Sequence, residues 1–454
     1  MKNKSILSVV PWIYDFAAYD LWMQPLGLLR LSTQLKNLGF QVDLINCLDR
    51  YDYDLLKRLN REKPKNEQKY GCGKFYKERV EKPQILKDIP LYYNRYGLPV
   101  DIFEKKLDKF SRPPDVILVS QVMTYWYPGT QLAIKILRKR FPSSIIMLGG
   151  IYPILMPEHA IKTSGADQIV SFSGFNRVFD HILKVLGVRN IKTGKDTFEN
   201  ITRIDYSFLT DKRTAVIETS KGCPQKCRYC SQHIINKEQF RLGSIKVVND
   251  IEYYKNKYSS KYVVFYDDAV AYKKEKYLIP ILKGVKKLLL KDISFHLPNG
   301  INVSEINEEL AVLLKECNFK TLRLSLESSL PSRQLETGGK VTNKDFKEAV
   351  RNLIYAGFKP KEIEVYMMMG LPGQSVEEIK DGINYVFDSG AVPVLTSYSP
   401  TPGSYYYEKF FKEKLKDPLM HNSTIFSLNT EGIDEEMIKD LRKNVKEKKT
   451  ALYN

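Results

Sequence analysis

Short apolar runs alternate with helix-patterned stretches along this chain, in two successive series. The first series comprises SILSVV (5–10), QVDLINC (41–47), PDVILVS (114–120), SIIMLGG (144–150) and ADQIVSF (166–172). Between these runs lie PLGLLRLSTQLKNLGF (25–40), GTQLAIKILRKRF (129–141) and PEHAIKTSG (157–165), with apolar residues at helical spacing. Near-continuous apolar strands must be buried on both faces, and helix-covered parallel sheets do that. The pattern predicts a doubly wound α/β domain, Rossmann-like or flavodoxin-like, over 1–187.

The second series starts at 214. Its strands are AVIETS (215–220), YVVFYDD (262–268), ISFHLP (293–298), TLRLSLE (321–327), IEVYMMM (363–369) and VPVLTSY (392–398), separated by helical stretches such as 304–317, 343–356 and 375–389. Six βα units predict a partial (β/α)6 barrel over 214–400. Three other regions break the rhythm. Residues 51–112 are charged and aperiodic, too long for a plain connection, and read as an insertion with structure of its own. Residues 188–213 read as a linker, and 401–454 as a C-terminal helical extension ending in a charged helix (434–449).

The chain has 454 residues and a net charge of +18. The lysines are spread among glutamates, as on solvated helix faces, and no nucleic-acid motif accompanies them. No apolar run reaches the roughly 18 residues of a membrane span. The N-terminus reads as a first strand rather than a signal peptide. Six sparse cysteines do not form a secreted disulfide framework, so a reducing cytoplasm is expected.

Three of those cysteines sit together in TSKGCPQKCRYCSQH, as Cys223, Cys227 and Cys230, directly after the first barrel strand. Ligand chemistry in such folds gathers at strand C-termini. Iron–sulfur clusters normally take four cysteines, so three leave one iron open, where chemistry happens. A zinc knuckle completed by His233 is the alternative for these residues. Other polar residues fall at strand ends too: Asp267 and Asp268, Asn299, and Glu327. Alternation along RLSLE puts Arg323, Ser325 and Glu327 on one face, a costly placement unless they meet a ligand or one another. Gly370 opens the turn GLPG, which permits close backbone approach. Met367 to Met369 read as barrel core, and Cys317 as a packed thiol.

The loop, with Tyr229 before its last cysteine, resembles the signature of the radical S-adenosylmethionine (SAM) superfamily. The resemblance covers about 214–400. It implies that Cys223, Cys227 and Cys230 ligate a 4Fe-4S cluster whose fourth iron chelates SAM. The cluster then splits SAM to methionine and a 5′-deoxyadenosyl radical. It further implies SAM contacts from Tyr229, Asp267, Asp268, Asn299, Arg323, Ser325, Glu327 and Gly370. An N-cap role remains the alternative for the two aspartates, and a bare strand-to-helix turn for Gly370. Lys221, Lys226 and Arg228 flank the loop, either offsetting cluster charge or simply solvated.

The front domain resembles the cobalamin-binding domain that precedes many radical SAM barrels. Its pattern is Ser-x-Leu followed by Gly-Gly; this chain has Ser120 in SQV, with valine in place of leucine, and Gly149-Gly150. The Asp-x-His-x-x-Gly motif, whose histidine ligates cobalt in other cobalamin proteins, is absent, as in many radical SAM relatives: PWIYDFAAYDLW, after the first strand, has no histidine. The bulky MTYWYPG after Ser120 either fills the lower face of a corrin or blocks it. His159 reads as part of a helix start. Cys47 and Cys72 do not make a second cluster motif.

The expectation is therefore a radical SAM enzyme, with cobalamin, doing C-methylation or related chemistry. The substrate is a small molecule, lipid or peptide, and a flavodoxin or ferredoxin supplies electrons. Substrate contacts are expected from the barrel-mouth loops, 51–112 and SPTPGSYYYEKF (399–410), where Tyr405 to Tyr407 read as packing. The alternatives are a cobalamin-independent radical SAM enzyme doing rearrangement, cleavage or sulfur insertion, and a metal-cluster protein that binds nucleic acid.

Overall fold

The computed structural model describes residues 4–65, 67–188, 203–237, 239–290, 292–426 and 433–451. Its contacts divide the chain into two units: Met1–Lys212 with Asp417–Leu419, and Arg213–Lys416 with Met420–Asn454.

The first unit is built on five strands: β1 (Ser5–Val10), β2 (Gln41–Asn46), β3 (Val116–Ser120), β4 (Ile145–Gly149) and β5 (Gln168–Ile169). They form one parallel sheet in the order β2-β1-β3-β4-β5. Alternate residues enter opposite cores. Leu7, Val9, Ile117 and Val119 pack with Ala133, Ile134 and Leu137 on one face. Ile6, Val116, Leu118 and Met147 pack with Leu28, Leu35 and Phe179 on the other. That two-sided burial is why these strands read as unbroken apolar runs. Strand order reverses direction between β1 and β3, a topological switch point where open α/β sheets take ligands.

The last strand is shorter than the pattern predicts. Only Gln168–Ile169 pairs, at the sheet edge, against Met147 and Leu148. The 51–112 insertion holds helices Tyr53–Arg58 and Val100–Leu107. It also supplies Lys77–Arg79 and Asn94–Tyr96 to a three-stranded antiparallel sheet with Ile13–Asp15. Strands of three residues are too short to show a period. Of the expected linker, 189–202 lies outside the described residues. The stretch 203–212 is fastened to the first unit: the Asp205 N–H donates to Thr33 Oγ1 (2.9 Å), and Thr210 donates to Asp49 (2.6 Å).

The second unit is a partial (β/α)6 barrel of β6 (Thr214–Ile217), β7 (Tyr262–Phe265), β8 (Ser294–Asn302), β9 (Phe319–Glu327), β10 (Ile363–Met369) and β11 (Val392–Ser397). All are parallel, in sequential order. Leu322, Leu324, Val365, Met367 and Met369 are buried, whereas Arg323, Ser325, Glu364, Tyr366 and Met368 alternate with them on a partly open face. The helix Glu435–Ala451 packs Ile438 and Leu441 against Met369, Ile379 and Ile383, so the end of the chain belongs to this unit. Among the described residues, no helix is long and apolar enough to cross a membrane.

Candidate functional site

Parallel strands bring all six C-termini of the barrel to one rim, and the cysteine loop hangs from the first. A short antiparallel pair, Ser220–Lys221 with Phe240–Arg241, closes its base. Cys223, Cys227 and Cys230 are free and partly buried. Burial pushes the Cys223 thiol up, and raises Cys230 to about 11, with the neighbouring cysteines adding to both. Such thiols are protonated near neutral pH until a metal displaces the proton.

Among the described residues, no three His, Cys, Asp or Glu side chains converge on the position of a single metal ion. A tetrahedral zinc would draw its thiolates to about 3.8 Å from one another, given Zn–S near 2.3 Å. In a cluster each thiolate holds a different iron, so the sulfurs stand further apart. The donor set here is three thiols on one loop, the number that leaves one iron of a cubane cluster open, and His233 is exposed.

The two aspartates after β7 fasten this loop. Asp267, 3% exposed, accepts from the Thr219 N–H (3.1 Å), the Thr219 hydroxyl (2.7 Å) and the Ser220 hydroxyl (2.5 Å). Asp268 accepts from the Gly222 N–H (3.1 Å), the Asn236 amide (3.2 Å) and the Gln232 amide. Burial raises both carboxyls, Asp268 to about 6. Neither caps a helix, for the next one starts only at Leu278.

The far side of the loop has its own anchors. The Arg228 N–H donates to Thr337 O and the Tyr406 N–H to Arg228 O, both at 3.0 Å. The Ser231 hydroxyl donates to Pro402 O at 2.8 Å. Gly338 has φ +129°, and a Cβ there would stand 3.2 Å from Cys227 Cα, so only glycine lets the two backbones approach. Tyr229 packs with Met368 against Leu371, Tyr398 and Tyr406. Tyr406 and Tyr407 are buried, while Tyr405 is exposed beneath the Arg228 guanidinium.

Arg323 and Glu327 each meet a polar protein partner. Arg323 donates to Glu364 (2.9 Å) and to the Tyr366 hydroxyl (2.5 Å). Ser325 lies against Gly300, where a Cβ would come within 2.7 Å of its hydroxyl. Glu327 leaves the alternation: a register shift follows Ser325, and Glu327 has φ +67°. For a non-glycine residue that is a strained backbone, the kind concentrated at functional sites. The bend carries its carboxylate, 7% exposed, to the Tyr229 hydroxyl (3.0 Å) and the Lys340 ammonium (2.7 Å). Asn299 lies inside β8, which runs on past the predicted end at 298; it is exposed, its amide 3.5 Å from Asp267 O. The turn after β10 is held by Gln374, which accepts from the Gly370 and Leu371 N–H groups at 2.9 and 3.2 Å.

Sequence reading missed three of these residues. Lys340 is half-buried beside the loop; desolvation pulls its ammonium down, but the charges of Glu327 and Cys227 hold it up. Its signal was the Gly-Gly before it, which lets the chain pass under Cys227. Arg333 donates to Pro372 O (2.9 Å) and Gly373 O (2.8 Å) and pairs with Glu378, fixing the turn from below. Gln232 hides in a four-residue helix that no periodicity reveals.

In the first unit, Ser120 pairs with Gly149 across β3 and β4. Gly150, φ +97°, passes so close that a Cβ would sit 2.4 Å from Gln121 O. The bulk of MTYW turns inward: Tyr125 and Trp126 are buried, and Trp126 Nε1 donates to Asp15 at 2.7 Å. What stands out beyond Ser120 is Val122 and Met123, 40% and 41% exposed. The strand end therefore leaves two apolar side chains exposed beside Ser120. His159 sits inside the helix Pro157–Thr163, its Nδ1 2.6 Å from the Tyr152 hydroxyl. Cys47, Cys72 and Cys317 are buried, and Cys317 lies 3.3 Å from Leu282 O.

Residues 217–386 match the radical SAM superfamily. An uncharacterized methyltransferase of Pyrococcus horikoshii is 25% identical over 337 residues, 67% of this chain and 70% of that protein. The bacteriochlorophyllide d C-12(1)-methyltransferase of Chlorobaculum tepidum is 21% identical over 308 residues, 63% of this chain and 62% of its own. The radical SAM methyltransferase TsrM of Kitasatospora setae, solved with cobalamin and a [4Fe-4S] cluster, superposes with a TM-score of 0.65 at 14% identity, over 88% of this chain and 76% of that one. OxsB, solved with aqua-cobalamin and SAM, gives 0.56 at 15% identity, over 95% of this chain and 57% of that one. The fold shared with these two structures extends through both units.

Proposed function

We propose that this chain, a radical SAM enzyme by the domain at 217–386, methylates a carbon of an organic substrate with the help of cobalamin. Cys223, Cys227 and Cys230 hold a 4Fe-4S cluster, and SAM chelates its open iron. The observation that carries this reading is the loop itself: three free thiols at the barrel rim, fastened on every side by groups that are not themselves ligands.

When bound, the cluster supplies the electron that cleaves SAM, and the corrin supplies a transferable methyl group. The chain's own residues do the positioning. Asp267 and Asp268 fix the loop, Glu327 and Lys340 set the charge beside it, and exposed Asn299 is the polar group at the rim best placed to meet SAM. In the domain 1–187, Ser120, Gly149 and Gly150 would border a corrin, and the exposed Val122 and Met123 would supply apolar contact to it. A flavodoxin or ferredoxin in the reducing cytoplasm supplies electrons.

Anaerobic reconstitution tests this. Iron and sulfide should approach four each per chain for a cubane cluster. SAM should yield 5′-deoxyadenosine under reduction, and hydroxocobalamin should be retained through gel filtration with a shifted spectrum. A Cys223→Ala/Cys227→Ala/Cys230→Ala variant with undiminished iron would sink the cluster assignment. A folded protein that takes up no corrin would return the reading to cobalamin-independent chemistry.

A further inference from the structure

The insertion builds a cavity of about 680 Å³ inside the first unit. It lies between the loop after β1, the helix Tyr53–Arg58 and the small antiparallel sheet. Its floor is apolar, with Leu56, Leu59 and Phe75. Five cations line it, Arg50, Arg61, Lys65, Lys74 and Lys77, and no carboxylate does. A volume of this size, an apolar floor and a few convergent charges describe a small-molecule site.

Arg50 is the decisive member. It is 4% exposed, held by Asp20 (2.8 Å) and the Gly71 carbonyl, yet its Nη1 has no hydrogen-bond partner. A buried guanidinium donor is rarely left unpaired, because its desolvation goes uncompensated. Arg61, Lys65 and Lys74 are exposed and form no ion pair among the described residues. One unpartnered buried donor and several exposed, unpaired cations over an apolar floor leave room for an anion.

We propose that this cavity binds an amphiphilic anion, a phosphate or carboxylate head carried on an apolar body. The head meets Arg50 and the rim cations, and the body lies on Leu56, Leu59 and Phe75. Charge-assisted, forked contacts favour arginine for such heads. This site stands apart from the cluster chemistry, and its test needs neither cluster nor corrin.

Titration calorimetry on the full chain, with octyl phosphate, octanoate, 1-octanol and inorganic phosphate, measures it. Octyl phosphate or octanoate should bind one to one, whichever is tighter naming the head group. 1-Octanol and inorganic phosphate should each bind at least about tenfold more weakly, since each lacks one half of the recognition. Arg61→Gln/Lys74→Gln, at exposed positions, should weaken the anion by at least about tenfold without moving the melting temperature. Arg50→Gln should weaken it further. Equal affinity for 1-octanol, or an unchanged double variant, would overturn the proposal. So would displacement of octyl phosphate by hydroxocobalamin, which would assign the cavity to the corrin.

Discussion

Lys340→Met should be among the most damaging single changes near the cysteine loop. Its ammonium and the Glu327 carboxylate lie 2.7 Å apart, with side chains only 17% and 9% exposed. Removing one partner of a buried pair leaves the other charge uncompensated, at about 3–5 kcal/mol. Methionine keeps the stem's volume, so the loss is electrostatic. Glu327→Gln should cost a similar amount for the opposite reason. The double variant leaves no orphan charge and should lose far less than the sum, giving a coupling of at least about 2 kcal/mol. Native-state hydrogen exchange in urea, read on β9 and β10 of the metal-free protein, measures each corner of the cycle. Trp12, Trp22 and Trp126, the chain's three tryptophans, all lie in the first unit. Their fluorescence transition should therefore stay fixed. A coupling below about 0.5 kcal/mol would mean that the pair is solvated and the reasoning wrong.

Asp267→Ala strands three donors at Thr219 and Ser220 and should cost several kcal/mol, at about 1–3 each, together with iron retention after reconstitution. Gly338→Ala should leave the first unit's melting untouched but lower iron content, since its Cβ would press on Cys227 Cα at 3.2 Å. His296 is fully buried, and burial lowers it to about 3 from the usual 6.5. Its contribution to stability is full above pH 6.5 and is lost as pH falls towards 3, because only the unfolded chain takes the proton in that window. The second unit should lose about 2 kcal/mol between pH 7 and 5, and His296→Gln should flatten that slope in acid titrations of stability.

The first sheet was legible because burial on two faces writes itself as an apolar run, as in VILVS, and the second because one buried face writes itself as alternation, as in LRLSL. The cysteines were legible because their spacing is local. The groups that hold them were not. Asp267 was visible as a polar residue at a strand end, yet its partners, Thr219 and Ser220, lie 48 and 47 residues away. Lys340 became relevant only when a register shift turned Glu327 towards it. Alternation predicted one face for Arg323, Ser325 and Glu327, and a bulge is what alternation does not encode. The antiparallel strands of the insertion were hidden by their three-residue length.

The backbone bonds from Arg228 to Thr337 and Tyr406 carry a consequence for the order of synthesis. The cysteines leave the ribosome more than a hundred residues before Tyr406 does. At roughly 5–20 residues per second, the nascent loop waits for its far wall for about ten seconds or more. During that interval the thiols are near one another but unframed. Iron delivered to the nascent chain would meet a loose tripod, whereas iron delivered after release meets a finished socket. A ribosome-bound fragment ending before Tyr406 should accordingly retain less iron than the full chain in the same reconstitution.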